Sequence, residues 1–273
     1  MIVCTHCPSP PLSHFIDFFW FHEGYVSDHR RERVLPDGTF ELIINLDPVP
    51  RKLFDRRDHD SYRDFRCAWL SGTQSEFIEI DVLPVASMMG VHFKPGGVAP
   101  FLGMPASELA DSVVELDAIW GSSVCDLRNA LLEQKTPEGK FQLLADFLMR
   151  MGCRRFDRSP AVAHALKQFA ADPHDVVVRE VAAELSMSHK HFIAQFRAEV
   201  GLTPKRFCRI RRFQQVLQRI EGRKAVEWAD VASACGYYDQ SHFIHDFQSF
   251  SGLNPSAYLT ERGEYLNFVP VRD

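Results

Sequence analysis

Two short groups of residues have the types and spacing of metal ligands or redox thiols. Cys4 and Cys7 form a C-x-x-C pair, and His189 and His191 are separated by one residue. A structural zinc needs four ligands, and no second close cysteine pair accompanies the first. The two histidines fall in a helical stretch, in which side chains two positions apart diverge. We therefore expect free thiols near a frayed N-terminus, and no metal site.

The first half of the chain raises one alternative class, a cupin-like small-molecule-binding protein or metalloenzyme with an accessory helical domain. Such a metal site needs several histidines and a carboxylate, often with a His-x-His pair on one strand. The strand-rich region offers only His92 and, in a predicted loop, His59. The sequence also lacks a Walker loop, a dinucleotide fingerprint and a G-x-S-x-G motif. We therefore expect no enzymatic activity and no cofactor.

A repeat in the second half of the chain indicates a different chemistry. His191-Phe192-Ile193, Phe196, Gly201-Leu202 and Pro204 recur 51 residues later as His242-Phe243-Ile244, Phe247, Gly252-Leu253 and Pro255. Upstream, Val181-Ala182 recurs as Val231-Ala232 at an offset of 50, so the turn of the second copy is one residue longer. Seven identities at a fixed spacing indicate a duplicated supersecondary unit.

The first copy predicts a helix, a turn and a second helix. Apolar spacing predicts the first helix over 177–185. Ser188 is a good N-cap for a helix over 189–200, because its hydroxyl can accept a hydrogen bond from a free backbone N–H. Gly201 then supplies a left-handed stop. The two phenylalanines of the repeat, four residues apart, give this second helix its buried side.

The second copy predicts the same arrangement. Its helices cover 226–234 and 240–251, with Asp239 as the cap and Gly252 as the stop. A helix over 204–220, with an apolar stripe at helical spacing, joins the two copies. At 1.5 Å per residue that helix is roughly 25 Å long, which is enough to hold two small units apart.

A helix–turn–helix unit is suited to reading DNA. It places its second helix in the major groove, where residues near the start of the helix meet base edges. Two units on a rigid spacer could enter successive grooves, which repeat every ~34 Å. A helical scaffold is the alternative, but solenoids generally need about three repeats. The net charge is −5, yet residues 156–260 hold 13 Lys/Arg against 11 Asp/Glu, a balance that permits a polyanionic partner.

The first half has the pattern of short strands. Residues 40–46, 76–83 and 85–93 are β-rich runs bounded by Pro and Gly. In the second run the isoleucines alternate with Glu79 and Asp81, so we expect the isoleucine side to be buried. Past residue 105 the pattern becomes helical, as over 137–151.

The fold class predicted is therefore α+β with two domains, an N-terminal β-rich barrel or sandwich with a helical extension and a C-terminal all-α double helix–turn–helix domain. The predicted boundaries are 1–152 for a sensor or dimerisation domain, 153–158 for a linker, 159–260 for the DNA-binding domain and 261–273 for a tail.

The residues also match a family. The C-terminal region resembles the AraC/XylS-type transcriptional regulators in V-A-x-E-L-x-M-S from Val181, H-F-x-x-x-F-R-x-x-x-G-L-T-P from His191, V-A-x-x-C-G-Y-Y-D-Q-S-H-F-I-x-x-F from Val231 and G-L-N-P-S-A-Y from Gly252. The first 150 residues resemble a sensor-side domain attached to such regulators, in L-P-D-G from Leu35, E-L-I-I-N-L from Glu41 and G-V-H-F-K-P-G-G-V-A-P-F-L-G from Gly90. Together the two resemblances cover nearly the whole chain.

The resemblance implies which residues read bases. Those positions fall on Lys190, Ile193 and Ala194 in the first unit and on Gln240, Ser241, His242 and His245 in the second. The family commonly has arginine at the positions of Ala194 and His245, and arginine would bind guanine through two hydrogen bonds. We therefore expect modest affinity per unit, with Lys190, Gln240 and Ser241 doing more of the reading. Phosphate contacts are expected from Ser188, Arg197, Lys205, Arg206, Arg209 and Arg212.

The effector site is less marked in the sequence. Trp20, Phe40 and Trp69 could line a ligand pocket, with core packing as the alternative role. Double-stranded DNA is the expected partner, and RNA polymerase, an unidentified small-molecule effector and a second copy of the chain are further candidates. No apolar run is long enough to span a bilayer, no secretory signal is visible, and seven cysteines spread over the chain favour reduced thiols. We expect a ligand-responsive cytoplasmic transcription factor with no membrane partner.

Overall fold

The computed structural model describes residues 1–58, 60–152, 156–174 and 177–272. Within these residues the strands lie in two antiparallel sheets. The strands are β1 (Ile2–His6), β2 (Ile16–Tyr25), β3 (Arg31–Val34), β4 (Glu41–Asn45), β5 (Arg51–Phe54), β6 (Tyr62–Phe65), β7 (Ala68–Ser71), β8 (Ile78–Asp81), β9 (Ala86–Phe93), β10 (Val113–Glu115) and β11 (Phe268–Pro270).

The two sheets face each other across a small apolar cluster. The first sheet has the order β1-β2-β9-β4-β7-β10, and the second has the order β11-β3-β8-β5-β6. Ile43, Trp69 and Met88 of the first sheet meet Leu53 and Ile78 of the second. The opposite face of the first sheet carries the larger N-terminal core. The β-rich N-terminal half predicted from the sequence is confirmed.

Strand β8 alternates as predicted, but its acidic side is the more deeply buried one. Glu79 is 1% exposed and Asp81 is 6% exposed, whereas the isoleucines are half-buried. Arg33 Nε lies 3.1 Å from Glu79 Oε1, and the backbone N–H of Lys52 donates to Asp81 Oδ1 at 2.7 Å. The expectation that the isoleucine side is the buried one is wrong, because cations and donors on neighbouring strands satisfy the buried carboxylates.

Three helices cover the outer face of the first sheet: α1 (Asp117–Trp120), α2 (Ser123–Glu133) and α3 (Pro137–Met151). Short 3₁₀ turns at Leu12–His14, Ala99–Phe101 and Ala106–Glu108 complete this half. Helix α3 begins where the sequence predicts, because Thr136 Oγ1 accepts the N–H of Gly139 at 3.2 Å and Pro137 follows the cap. Phe141 and Leu144 point into the larger N-terminal core.

The second half is helical, as predicted. Its helices are α4 (Pro160–Ala171), α5 (Val178–Glu184), α6 (His189–Val200), α7 (Pro204–Ile220), α8 (Trp228–Ala234), α9 (Gln240–Ser251) and α10 (Pro255–Glu261). They share one apolar core, in which Phe192, Phe196, Phe213, Phe243 and Phe247 are fully buried. The pairs α5–α6 and α8–α9 are the two helix–turn–helix units, and α7 is the predicted spacer.

The predicted linker, 153–158, falls partly outside the described residues, since 153–155 are not among them. Its described part lies on the N-terminal core. The ring of Phe156 is 5.5 Å from that of Phe15 and 6.0 Å from that of Phe101. Aromatic packing of this kind fixes the start of the helical half against the sheet domain.

The C-terminal residues, expected as a tail over 261–273, contribute a strand. Strand β11 pairs antiparallel with β3, with Val269 opposite Arg33. Val269 is fully buried in the helical core, and Asn267 Oδ1 accepts from Gln214 Nε2 at 2.9 Å. The described part of this segment, 261–272, therefore joins the two halves.

The N-terminal residues are ordered as a strand. Cys4 lies in β1 opposite Phe21 of β2, so the expectation of a frayed N-terminus is wrong. Cys4 and Cys7 are both free thiols. In the described part of the chain, no group of three or more His, Cys, Asp and Glu side chains is placed to hold a metal ion. No helix among the described residues has both the length and the apolar character needed to cross a membrane.

Candidate nucleic-acid interface

The second helix of each unit begins and ends as the sequence predicts. Ser188 Oγ accepts a backbone N–H three residues on at 3.3 Å, and Asp239 Oδ1 does the same at 2.7 Å. Gly201 and Gly252 close the helices with φ of +89° and +71°. These caps and stops fix α6 and α9 at matching lengths of 12 residues.

The predicted base-reading residues lie on the free faces of α6 and α9. The buried phenylalanines of each helix face the shared core, which leaves the opposite face to solvent. Ile193 is half-buried, and the exposed members are Lys190, Ala194, Gln240, Ser241, His242 and His245. Both reading faces are therefore accessible to a duplex, and the assignment of individual base contacts stays a prediction.

The extra residue in the second turn is Tyr238. The backbone N–H of Met187 donates to the Ala182 carbonyl at 2.9 Å, and the N–H of Tyr237 donates to the Ala232 carbonyl at 3.0 Å. These bonds match at an offset of 50, whereas the caps that follow match at 51. Tyr238 is 94% exposed and immediately precedes the cap of α9. The repeat offsets show the longer turn in the sequence, but they do not identify Tyr238 as the added residue.

The predicted phosphate contacts fall into two groups. Ser188, Arg197 and Lys205 are exposed and free to approach a duplex. Arg206, Arg209 and Arg212, which follow one another at intervals of three along α7, are half-buried. Each of these three arginines makes contacts within the chain, so a phosphate role for them would have to compete with those contacts.

Arg209 is bound to a buried carboxylate on α9, the second helix of the second unit. Its Nη2 lies 2.5 Å from Asp246 Oδ1 and its Nε lies 3.3 Å from Asp246 Oδ2. Asp246 is only 1% exposed. His242 Nε2 and His245 Nδ1 lie 3.8 and 4.0 Å from the same carboxylate. A two-point bond of this kind fixes the rotation of α9 against α7.

Arg212 and Arg206, on the same helix as Arg209, also make contacts within the chain. Arg212 Nη1 donates to the Gly236 carbonyl at 3.2 Å, and its guanidinium lies 5.3 Å from the ring centre of Tyr237. Burial raises the pKa of that tyrosine hydroxyl well above its usual value. Arg206 donates to the Ser75 carbonyl of the N-terminal half, and burial lowers the pKa of its guanidinium.

The predicted ligand-pocket aromatics do not lie together. Trp69 is 9% exposed and packs between the sheets, with its ring 5.6 Å from that of Phe65. Trp20 is half-buried in the same layer, and its Nε1 donates to Glu41. Phe40 is 1% exposed on the other side of the first sheet. All three therefore contribute to packed layers, and a ligand role for them stays a prediction.

A cavity of about 420 Å³ lies instead between the two halves. Apolar groups of α4 and α7 form part of its wall, including Leu166 and Phe207. Its charged side chains are one acid, Asp17, and the basic residues His92, Lys94, Arg158, Lys167 and Arg211. A mixed apolar and cationic wall is suited to an organic anion.

His92 lies on the wall of this cavity in an ion pair with a carboxylate. Its Nδ1 lies 2.6 Å from Glu41 Oε2, and its ring stacks on Phe18 at 4.8 Å. Burial by itself lowers the pKa of His92, but the hydrogen bond and charge of Glu41, with the charge of Asp37, raise it to about 9. The imidazole is therefore protonated at neutral pH.

Two family models match this chain. Residues 5–115 match a domain of unknown function, DUF6597, and residues 181–261 match a helix–turn–helix domain. The second match covers both units, from the first helix of the first to the helix that follows the second.

Known proteins resemble the chain at two levels. The probable transcriptional regulator LumQ of Photobacterium leiognathi is 28% identical over 83 residues, which are 30% of this chain and 33% of that protein. The match thus spans about a third of the length of this curated relative. The structure of ToxT from Vibrio cholerae aligns over 89% of this chain and 98% of that chain, with a TM-score of 0.50 and 11% identity. A second ToxT structure, bound to (E)-4-(8-methylnaphthalen-1-yl)but-3-enoic acid, covers the same shares with a TM-score of 0.50 and 10% identity. These structures show the two-domain fold.

Proposed function

We propose that this protein, whose residues 181–261 match a helix–turn–helix domain, is a sequence-specific, DNA-binding transcription regulator of the AraC type. Its two units read successive major grooves, and its N-terminal domain modulates that binding. It acts in the cytoplasm as a regulator without enzymatic activity. The cupin-like alternative is not favoured, because the described residues bring no third metal-ligating side chain to any candidate group.

One observation carries this proposal. Two capped helices of equal length expose polar side chains at their starts, and a spacer helix of 17 residues joins them. Such a pair is suited to two half-sites about one helical turn of DNA apart. Lys190, Gln240 and Ser241 are the proposed principal base readers, with Ile193, Ala194, His242 and His245 beside them. Arg197, Lys205 and the Ser188 hydroxyl are the proposed phosphate contacts.

The test is selection of duplexes by the full chain from a random-sequence pool, followed by binding measurements at several salt concentrations. We expect enrichment of a bipartite sequence and an affinity that falls steeply as salt rises, because phosphate contacts release counterions. Failure to enrich any sequence above the starting pool would overturn the proposal.

Two matched variants then distinguish a residue that contacts bases from a residue that contacts phosphate. Gln240→Ala should lower affinity for the selected sequence by about 1–3 kcal/mol and relax the preference at one base pair. Lys205→Ala should weaken binding to all duplexes alike and reduce the salt slope by about one. Equal losses on every sequence from both variants would contradict these roles.

We further propose that the effector is an organic anion held in the cavity between the two halves. The basic groups around apolar walls support this, and the acid bound to the second ToxT structure is a ligand of the same class. The cavity touches the sheet, α4 and α7, so its occupant would act on the placement of the two halves. RNA polymerase and a second copy of the chain are the proposed further partners.

Decanoate is a suitable probe for this cavity, with decanol as its uncharged counterpart. We expect calorimetric binding of decanoate only, weakened at least about tenfold in Lys167→Gln. Binding should also weaken as pH rises through about 9, where His92 loses its proton. Equal binding of the acid and the alcohol would count against an anion site.

A further inference from the structure

One loop of the N-terminal half contacts the C-terminal ends of both reading helices. This bridging loop, residues 72–77, connects β7 to β8 and thus runs from one sheet to the other. Its contacts follow the order of the chain, with residue 73 at α6, residue 75 at α7 and residue 77 at α9. The reading residues lie at the opposite ends of α6 and α9, which leaves the bridging loop clear of the proposed DNA surface.

Thr73 makes the contact with the first unit. It is fully buried, and a Cβ atom on Gly201 would lie 2.5 Å from its Oγ1 and 3.2 Å from Cε2 of Phe40. The stop of α6 therefore fits against the bridging loop only because residue 201 has no side chain.

Phe77 makes the matching contact with the second unit. A Cβ atom on Gly252, the stop of α9, would lie 2.5 Å from Cε1 of Phe77. The same ring packs on the helical core and lies under the guanidinium groups of Arg33 and Arg56, at 4.9 and 5.7 Å. The two equivalent glycines of the repeat, 51 residues apart, are thus both covered by residues of one loop.

Ser75 joins the bridging loop to the spacer helix between the units. Its carbonyl oxygen accepts a hydrogen bond from Arg206 of α7, and the guanidinium of Arg206 lies 5.0 Å from the ring centre of Phe250 on α9. Arg206 of the spacer helix therefore contacts both the bridging loop and the second reading helix.

The bridging loop is itself fastened to the sheet domain. The Gly72 N–H donates to the Ser112 carbonyl at 2.9 Å, and the Asp111 N–H donates to the Thr73 carbonyl at 2.9 Å. Gln74 Nε2 donates to the same Ser112 carbonyl at 3.2 Å. A shift of β7 or of residues 111–112 would consequently move the contacts at both reading helices.

We propose that the bridging loop sets the spacing and relative orientation of the two reading helices, with Thr73, Ser75 and Phe77 as positioning residues of the DNA interface. This inference rests on the proposed function. A rigid three-point support holds the helices at one separation, and a single displacement of the support changes both helices at once. The N-terminal domain would regulate DNA binding by this route.

The experiment measures how strictly the full chain requires one half-site spacing. The duplexes are those enriched by the wild type, the same duplexes with two base pairs inserted between the half-sites, and each half-site alone. We expect the insertion to weaken DNA binding by the wild type about tenfold. The same insertion should weaken DNA binding by Phe77→Ala less than about threefold, and both proteins should bind each single half-site equally.

Phe54→Ala is the matched control, because this aromatic of β5 contacts Arg31 and Tyr62 within the sheet domain. It should keep the wild-type spacing preference. Phe77→Leu, which keeps an apolar side chain, should give an intermediate preference if Phe77→Ala proves too unstable to purify. A Phe77→Ala protein that retains the full tenfold preference would overturn the inference while leaving DNA binding itself intact.

A second measurement needs no DNA and so separates this inference from the proposed function. Spin labels at Lys190→Cys and Gln240→Cys, with the other reactive cysteines changed to serine, report the distance between the starts of α6 and α9. We expect one narrow distance distribution in the otherwise wild-type protein and a broad one in Phe77→Ala. Identical distributions in the two proteins would contradict the positioning role.

Discussion

The two helix–turn–helix units share a backbone plan but are held in the molecule by different forces. In the second unit, Asp246 of α9 is bound by Arg209 of the spacer helix. The equivalent residue of the first unit is Gln195, whose Nε2 donates to the Ser159 hydroxyl at the start of α4. At these equivalent positions the first unit is thus held by a neutral hydrogen bond, and the second by an ion pair to a buried carboxylate.

The difference teaches that a duplicated motif specifies its own helices but not its attachment. Caps, glycine stops and paired phenylalanines occupy equivalent positions in both units, because each acts within one helix or between neighbouring helices. The attachments differ, because α6 packs on α4, on α7 and on the 3₁₀ turns of the sheet domain, whereas α9 packs on α7, α8 and α10 and meets the sheet domain at Phe77. Four sets of substitutions test this contrast.

The largest effect is expected from Asp246→Ala. It leaves the half-buried Arg209 without its partner and frees α9 to rotate, so we expect a loss of about 3 kcal/mol in the free energy of unfolding. Gln195→Ala at the equivalent position should cost about 1 kcal/mol, since only a neutral hydrogen bond is removed. Urea unfolding measures the free energy of unfolding of both variants. Equal losses would contradict the view that the two units are held by different forces.

Ala194→Arg should change recognition by the first unit alone. An arginine there can bind guanine through two hydrogen bonds, so we expect about 1–3 kcal/mol of added affinity for sites with guanine at that position. Selection from random duplexes should show the new preference in one half-site and leave the other unchanged. A gain spread over both half-sites would mean that the units do not read separately.

Tyr238→Ala tests the residue that lengthens the second turn. Because its side chain is 94% exposed, we expect no change in the melting temperature. If the ring touches the duplex at the start of α9, DNA affinity should fall about threefold, which is roughly 0.7 kcal/mol. Tyr62→Ala, another exposed tyrosine on β6, is the control and should leave affinity unchanged.

The smallest effect is expected from Ser186→Gly in the first turn. Ser186 has φ of +55°, and its equivalent in the second turn is Gly236, with φ of +66°. Glycine relieves the left-handed strain but loses more entropy on folding, so we expect a net stabilisation of about 0.5 kcal/mol. The reverse change, Gly236→Ser, should be destabilising, because a Cβ atom there would lie 2.5 Å from the His174 ring. Thermal unfolding measures both.

Part of the fold could be predicted and part could not. The alternation of β8 was visible, but the sequence could not show that Arg33 and Arg51 on other strands neutralise its acidic side. Likewise, the sequence shows that α7 carries arginines. It cannot predict their contacts within the chain, because Ser75 and Asp246 are distant from them in sequence.

The sequence by itself determined the duplicated units, their caps and stops, the spacer helix and the exposed faces on which the predicted base-reading residues lie. These features depend on hydrogen bonds and apolar spacing within a few residues, so the local chain encodes them. Only the tertiary structure decided which basic groups remain free, that the C-terminal segment joins the second sheet, and that residues 72–77 support both reading helices. Those outcomes depend on contacts between distant segments, which exist only once the two halves have packed together.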